Sequence, residues 1–235
     1  MDPSVDPDVD PDVDPDVDLS VDAETGRRAF AESVTSFVRA VDGFDEWELL
    51  GASRCHGWTR LDVVVHVIAG WQEMLGGMVS VVDRAPTVDA ASYWPAFAAE
   101  YRQDDPVAPL MSQRRRTAAF ARPASARAEL NDVAAAVQRG CAGLADASYL
   151  WQGHVFAVGD FLTIWAVEDA IHQLDLLSEE PVPDSALSLT RATIEALAGG
   201  PLPAASAEEA VLIGAGRLPV PDGLGAVGER LPALG

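Results

Sequence analysis

From Thr59 to Val82 the chain runs without a proline, and it opens on a threonine that can cap a helix, with Asp62 three residues on as an approximate capping box. A stretch of that length commits the chain to a long helix. Three further segments carry comparable signals. Phe30, Val34, Phe37, Val38 and Val41 recur at helical spacing and predict a helix over 24–41, with Gly43 helping to end it. Leu130, Val133, Val137, Cys141 and Leu144 form one stripe of a helix over 124–144, which puts Cys141 in the core. Asp160 can cap a helix that reaches about residue 177, before Pro181. A shorter helix is predicted over 90–101, and residues 153–159 read as an extended or looped connection. Four principal helices make a bundle. The predicted fold class is therefore mainly α, a four-helix bundle with a small C-terminal α/β or irregular appendage.

Residues 1–22 stand apart. They hold nine of the aspartates, and from Val5 to Asp18 they repeat VDPD with a proline at every fourth position, which defeats helix hydrogen bonding and hydrophobic collapse alike. This segment reads as a disordered acidic tail. It lacks the glycine turn and terminal glutamate of a calcium-binding loop. The formal charge of −21 excludes a basic nucleic-acid-binding surface. With 49% hydrophobic residues the remainder can bury a full core, yet no apolar run approaches the roughly 18 residues of a membrane span. The acidic N-terminus is unlike a signal peptide. A cytoplasmic protein with neither nucleic-acid nor membrane partners is expected, and its oligomeric state is left open. Cys55 and Cys141 are too few for a disulfide framework and read as reduced thiols. After residue 178 seven prolines are scattered around one plausible helix at 185–197 and an apolar run at 210–213. The expected division is a tail at 1–22, a bundle at 23–178 and an appendage at 179–235.

On the helix from Asp160, Glu168 and His172 are four positions apart and share a face, with Asp175 on the same side. Their neighbours there are Phe161, Ile164, Trp165 and Ile171, so charge falls within a core-facing stripe. Buried charge needs compensation, and a metal ion supplies it. His66 on the second helix, with the small residues Ala69 and Gly70 beside it, is the candidate third ligand. Two histidines and a glutamate suit zinc with one position open to water or substrate. Spacing alone leaves a hydrogen-bonded Glu–His pair beside a core histidine equally open.

The segment 55–66, CHGWTRLDVVVH, followed by Ala69, Gly70 and Trp71, resembles the C-P-G-W-T-x-x-D-x-x-x-H signature of the mycothiol-dependent maleylpyruvate isomerase family, whose members are DinB-like metal-binding four-helix bundles. Asp160, Phe161 and Leu162, then Glu168, His172, Asp175 and Leu176, resemble its D-F-L and E-x-x-x-H-x-x-D-L block. Gly214 to Arg217 is similar to its C-terminal G-x-G-R segment. His56 departs from the usual proline and reads as an exposed loop residue; the acidic tail is foreign to the pattern. Mycothiol is the thiol of actinobacteria, and a basic set made only of arginine fits a GC-rich genome.

The resemblance implies a metal triad of His66, Glu168 and His172, with Arg217 associated with the active site. It implies a divalent metal, zinc by preference, and mycothiol as cosubstrate. A metal-bound thiolate would add to an activated double bond and be eliminated after rotation, giving cis–trans isomerisation. Arg217 would hold a carboxylate of a small electrophilic substrate by a bidentate contact. Asp175 would orient His172, a capping or surface role being the other option. Trp71, Trp94, Trp151 and Phe156 are candidate pocket residues or core. The alternatives are a mycothiol S-transferase acting on a xenobiotic or biosynthetic electrophile, and a non-enzymatic metal-binding or regulatory bundle.

Overall fold

The computed structural model describes residues 18–100 and 107–234. In chain order it contains α1 (Ala23–Asp42), α2 (Glu46–Leu49), α3 (Arg60–Met78), β1 (Val81–Val82), α4 (Tyr93–Glu100), α5 (Val107–Thr117), α6 (Pro123–Gly143), β2 (Ser148–Trp151), β3 (His154–Ala157), α7 (Val158–Asp175), α8 (Asp184–Ala198), α9 (Ala207–Gly214) and α10 (Ala226–Glu229).

Helices α1, α6, α3 and α7 form the bundle, each packing on its neighbours in that cyclic order. Local chemistry sets their ends. Asp22 caps α1 by accepting from the Thr25 amide, and Thr59 and Asp62 close a full capping box on α3. Asp62 also accepts from the Thr117 hydroxyl at 2.6 Å, while its carbonyl takes the Gln113 side chain, so α5 docks on the first turn of α3. Helix α7 is buried on nearly every side, enclosed by α1, α3, α8 and α9. Where α1 crosses α7 the backbones meet at glycines. A Cβ on Gly26 would lie 2.5 Å from the Gly159 carbonyl oxygen, and one on Gly159 would lie 2.0 Å from that of Val21.

Several expectations are corrected. Helix α3 stops at Met78, and Val81–Val82 pair antiparallel with β2. Of the two options for residues 153–159, extended or looped, the extended one holds over His154–Ala157. β2 and β3 form a hairpin whose turn residues Gln152 and Gly153 both have positive φ, and the chain passes from β3 directly into α7. Asp160 does not cap α7, which begins two residues earlier after Ala157. Its carboxylate instead accepts the Val21 amide at 2.8 Å within the core. Residues 18–22, assigned to the tail, are thereby fastened to the bundle, and Leu19 accepts from the Ala90 amide. The rest of the VDPD segment, residues 1–17, lies outside the described residues. In the C-terminal part, α8 to α10 are joined by coil, and the small sheet belongs to the bundle half instead. A second apolar cluster, including Val167, Ile171, Ile194, Leu202 and Val211, seals α8 and α9 onto α7. Among the described residues no helix is long and apolar enough to cross a membrane.

Candidate metal centre

His66 comes from the middle of α3, where the cap at Thr59 and the packing of Trp58 against its ring (centroids 5.3 Å) set its direction. Glu168 and His172 come from the last turns of α7. Glu168 Oε2 lies 3.3 Å from His172 Nε2 and 3.9 Å from His66 Nε2, and the two imidazoles meet edge to face with centroids 4.7 Å apart. One atom from each residue falls within 4.8 Å of the others. Tetrahedral zinc with bonds of about 2.0–2.1 Å separates its ligand atoms by roughly 3.4 Å. The donor set and its spacing therefore fit one divalent ion held by these three side chains.

The electrostatics agree. Against the cost of burial, hydrogen bonds to His172 and His66 hold the Glu168 carboxyl well below its usual range. Partial burial keeps His66 below the ordinary histidine value, with the neighbouring His172 adding to the effect against the pull of Glu168, which favours the neutral form that ligates. Burial opposes charge on His172, but its contacts with Asp175, Cys55 and Glu168 raise it well above the usual value. Two negative neighbours hold a positive charge there, a charge that a cation can replace.

Asp175 is fully buried at the end of α7. Its Oδ2 lies 3.1 Å from His172 Nδ1. It takes Arg217 through two bonds of 3.0 Å, from Nε and Nη2, and accepts from the Cys55 thiol at 3.0 Å. A second group, Cys55, His172 and Asp175, has metal-like spacing as well. Every oxygen of that carboxylate is already engaged, so the first group is the better cation site. Arg217 follows α9, where its amide bonds the Leu212 carbonyl at 2.7 Å. Its bidentate edge faces Asp175 and Nη1 donates to Ala215, so the carboxylate it clasps belongs to the protein. The expected two-pronged grip on a substrate carboxylate is thus not available on that edge.

His66, Glu168, His172 and Arg217 border a cavity of about 630 Å³ that also reaches Glu73, Tyr93, Trp94, Trp151 and Trp165. Of the four aromatic candidates, Trp94 and Trp151 line it. Trp71 and Phe156 are core, the Trp71 indole donating to Asp169 at 2.9 Å. Burial pushes the Asp169 carboxyl up to about 7, against hydrogen bonds from Ser33 and Trp71. Gly70 lines the cavity, but the Trp165 ring occupies the room beside it, 3.0 Å from where a Cβ would sit. Cys141 is core and His56 is exposed.

Sequence reasoning passed over Cys55, Glu73 and Trp165 as site residues. Cys55 opens the segment 55–66, Glu73 follows His66 by seven positions on one helix face, and Trp165 precedes Glu168 by three.

A family model described as the mycothiol maleylpyruvate isomerase N-terminal domain matches residues 27–177. A crystal structure of the mycothiol-dependent maleylpyruvate isomerase is similar at TM-score 0.53 and 16% identity, over 74% of this chain and 70% of that one. A mutant of that enzyme matches at TM-score 0.52 and 18% identity, with the same coverage. At such identities the likeness shows a shared fold. No curated protein matches the chain. With well over half its length covered by the family model, the chain belongs to the mycothiol maleylpyruvate isomerase N-terminal domain family.

Proposed function

We propose that this protein is a divalent-metal- and mycothiol-dependent enzyme that adds a thiolate to an activated double bond and, after rotation about the resulting single bond, eliminates it to complete a cis–trans isomerisation. The observation that carries this reading is the convergence of His66, Glu168 and His172 on one wall of a cavity large enough for a thiol and a small electrophile. The ion, zinc by its two imidazoles and one carboxylate, would supply positive charge that keeps the cosubstrate thiol ionised at neutral pH. The chain's own residues do the rest. Asp175 accepts the Nδ1 proton of His172 and so leaves Nε2 as the ligating atom. Arg217, fixed by Asp175, holds a guanidinium charge at the cavity edge where negative charge develops on the acceptor. The aromatic wall keeps water from the reacting carbon.

Transfer of the thiol without later elimination is a second reading, favoured by the size and aromatic character of the cavity. We further place the protein in the cytoplasm, where unpaired Cys55 and Cys141 and a reduced thiol cosubstrate persist. We divide its work between the bundle, which holds the ion, and the segment after 178, which brings Arg217 to it.

The test is metal stoichiometry with mycothiol turnover in the wild type, His66→Ala and Glu168→Ala. The wild type should bind one zinc and consume or require mycothiol, and each variant should lose about tenfold or more in zinc affinity. Unchanged metal content in both variants would overturn the assigned triad. A loaded wild type indifferent to thiol would leave only a metal-binding bundle.

A further inference from the structure

The β2–β3 hairpin turns on Gln152 and Gly153, whose φ angles are 47° and 79°. Positive φ at both central residues is the type I′ pattern, which suits asparagine followed by glycine. Asparagine and glycine enter the left-handed region at little cost, and a longer side chain does not. Glutamine in the first position therefore strains the hairpin where asparagine would relax it. Nothing in the turn itself calls for the longer residue.

The cavity does. Gln152 lines it, and its Oε1 accepts from the Tyr93 hydroxyl at 3.1 Å. Tyr93 is buried at the start of α4 and packs on Trp151 and Phe156, with ring centroids 5.7 and 5.3 Å away, so its hydroxyl is a fixed donor. It holds the carboxamide by the oxygen. The N–H₂ end of Gln152 has no partner among the described residues and keeps both its donors. Around it the wall is ring surface from Trp94, Trp151 and Trp165, and the Trp94 indole is committed to the Ala90 carbonyl at 3.0 Å. Gln152 thus adds a directional polar group to an otherwise apolar wall, the arrangement by which a pocket fixes the orientation of a ligand. Asparagine, one methylene shorter, would withdraw the amide from Tyr93.

We propose that Gln152 is a specificity-determining residue, whose carboxamide N–H₂ donates to a carbonyl or carboxylate oxygen of the electrophile while the reacting carbon lies at the metal centre. This rests on the thiol-addition reading above. A ligand that places an sp² oxygen within reach of the amide satisfies it, and one that places a methyl group there leaves a polar group unpaired.

Titration calorimetry of the full, zinc-loaded chain with two saturated, unreactive probes, succinate and hexane-2,5-dione, reads binding apart from chemistry and shows which kind of oxygen is taken. Gln152→Asn should weaken whichever probe the wild type binds by about three- to tenfold. It should at the same time raise the thermal midpoint by about 1–3 °C. The opposite signs separate a ligand contact from a residue that only shapes the hairpin. Gln152→Glu keeps the length and replaces the donor with an acceptor, so it should weaken binding at least as much, and it keeps the test decisive if Gln152→Asn does not fold. Binding of neither probe by the wild type, unchanged binding in Gln152→Asn, or equal or tighter binding in Gln152→Glu would overturn the proposal. The expected losses in a protein that consumes no mycothiol would sink the thiol-addition reading and leave the Gln152 contact standing.

Discussion

Asp175 accepts from His172, from Cys55 and from two nitrogens of Arg217, and all of these donors are set by loops and helices that end around it. Asp175→Asn keeps the volume but turns an N–H₂ toward donors that need an acceptor. Zinc affinity measured by chelator competition should fall about 10- to 100-fold, as for other groups that hold a ligating histidine in place. Asp160 gives a pH test remote from the centre. Burial raises its carboxyl to about 7, against the hydrogen bond from Val21, so in the folded state it binds a proton more tightly than in the unfolded chain. Its contribution to stability is therefore present at low pH and is lost as pH rises through about 7. Urea unfolding should show Asp160→Asn, which keeps an acceptor for the Val21 amide, losing less stability than the wild type between pH 5 and pH 8. The gap should be on the order of a few kcal/mol. Glu168, His172 and Asp175 could be picked out in the sequence because charge on a core-facing stripe is conspicuous, and His66 through its small neighbours and the block that carries the family resemblance. The contacts of Asp175 with Arg217 and Cys55 could not, since they join segments whose sequence separation carries no periodic signal.

At the level of elements, the α1–α7 crossing depends on bare backbone. In an exposed helix Gly→Ala gains about 1 kcal/mol. At Gly159 the added methyl would lie 2.0 Å from the Val21 carbonyl oxygen and 2.6 Å from the Asp22 carbonyl carbon, backbone atoms held by the Asp160 hydrogen bond. The clash wins, and Gly159→Ala should lower stability by about 1–3 kcal/mol, seen as a lower thermal midpoint with unchanged helix content. The bundle helices were legible because each pairs a long apolar period with an end signal, as at Thr59 and Asp62. The hairpin was not. Four-residue strands over Ser148–Trp151 and His154–Ala157 are too short for an alternating pattern to stand out, and their turn uses Gln152 with Gly153 in place of the familiar Asn-Gly pair. Helix α5 was missed because its charged sequence shows little amphipathic period and it is tied to α3 through Gln113 and Thr117. Asp160 misled because an acidic residue near a helix start reads as a cap, whereas this one points inward.

Across the whole molecule, the ligand-bearing bundle and the segment after residue 178 are interlocked. Val167 and Ile171 of α7 are buried by Ile194, Leu202 and Val211, and Arg217 returns to Asp175. A chain stopped at 178 would expose that apolar face and leave Asp175 without its guanidinium. It should aggregate or melt well below the full chain in calorimetry, and a soluble fraction should show no thiol addition. The appendage was legible as a change in proline content, and Arg217 through the resemblance of its segment, but the pairing of that guanidinium with Asp175 became visible only in three dimensions.

Because Arg217 arrives on a separate stretch of polypeptide from His66, Glu168 and His172, the two can diverge at different rates. Descendants of such a scaffold can remodel the cavity rim through α4, the hairpin and the last residues while the inner clasp stays constant. One inner geometry could in this way be fitted to new ligands without being rebuilt.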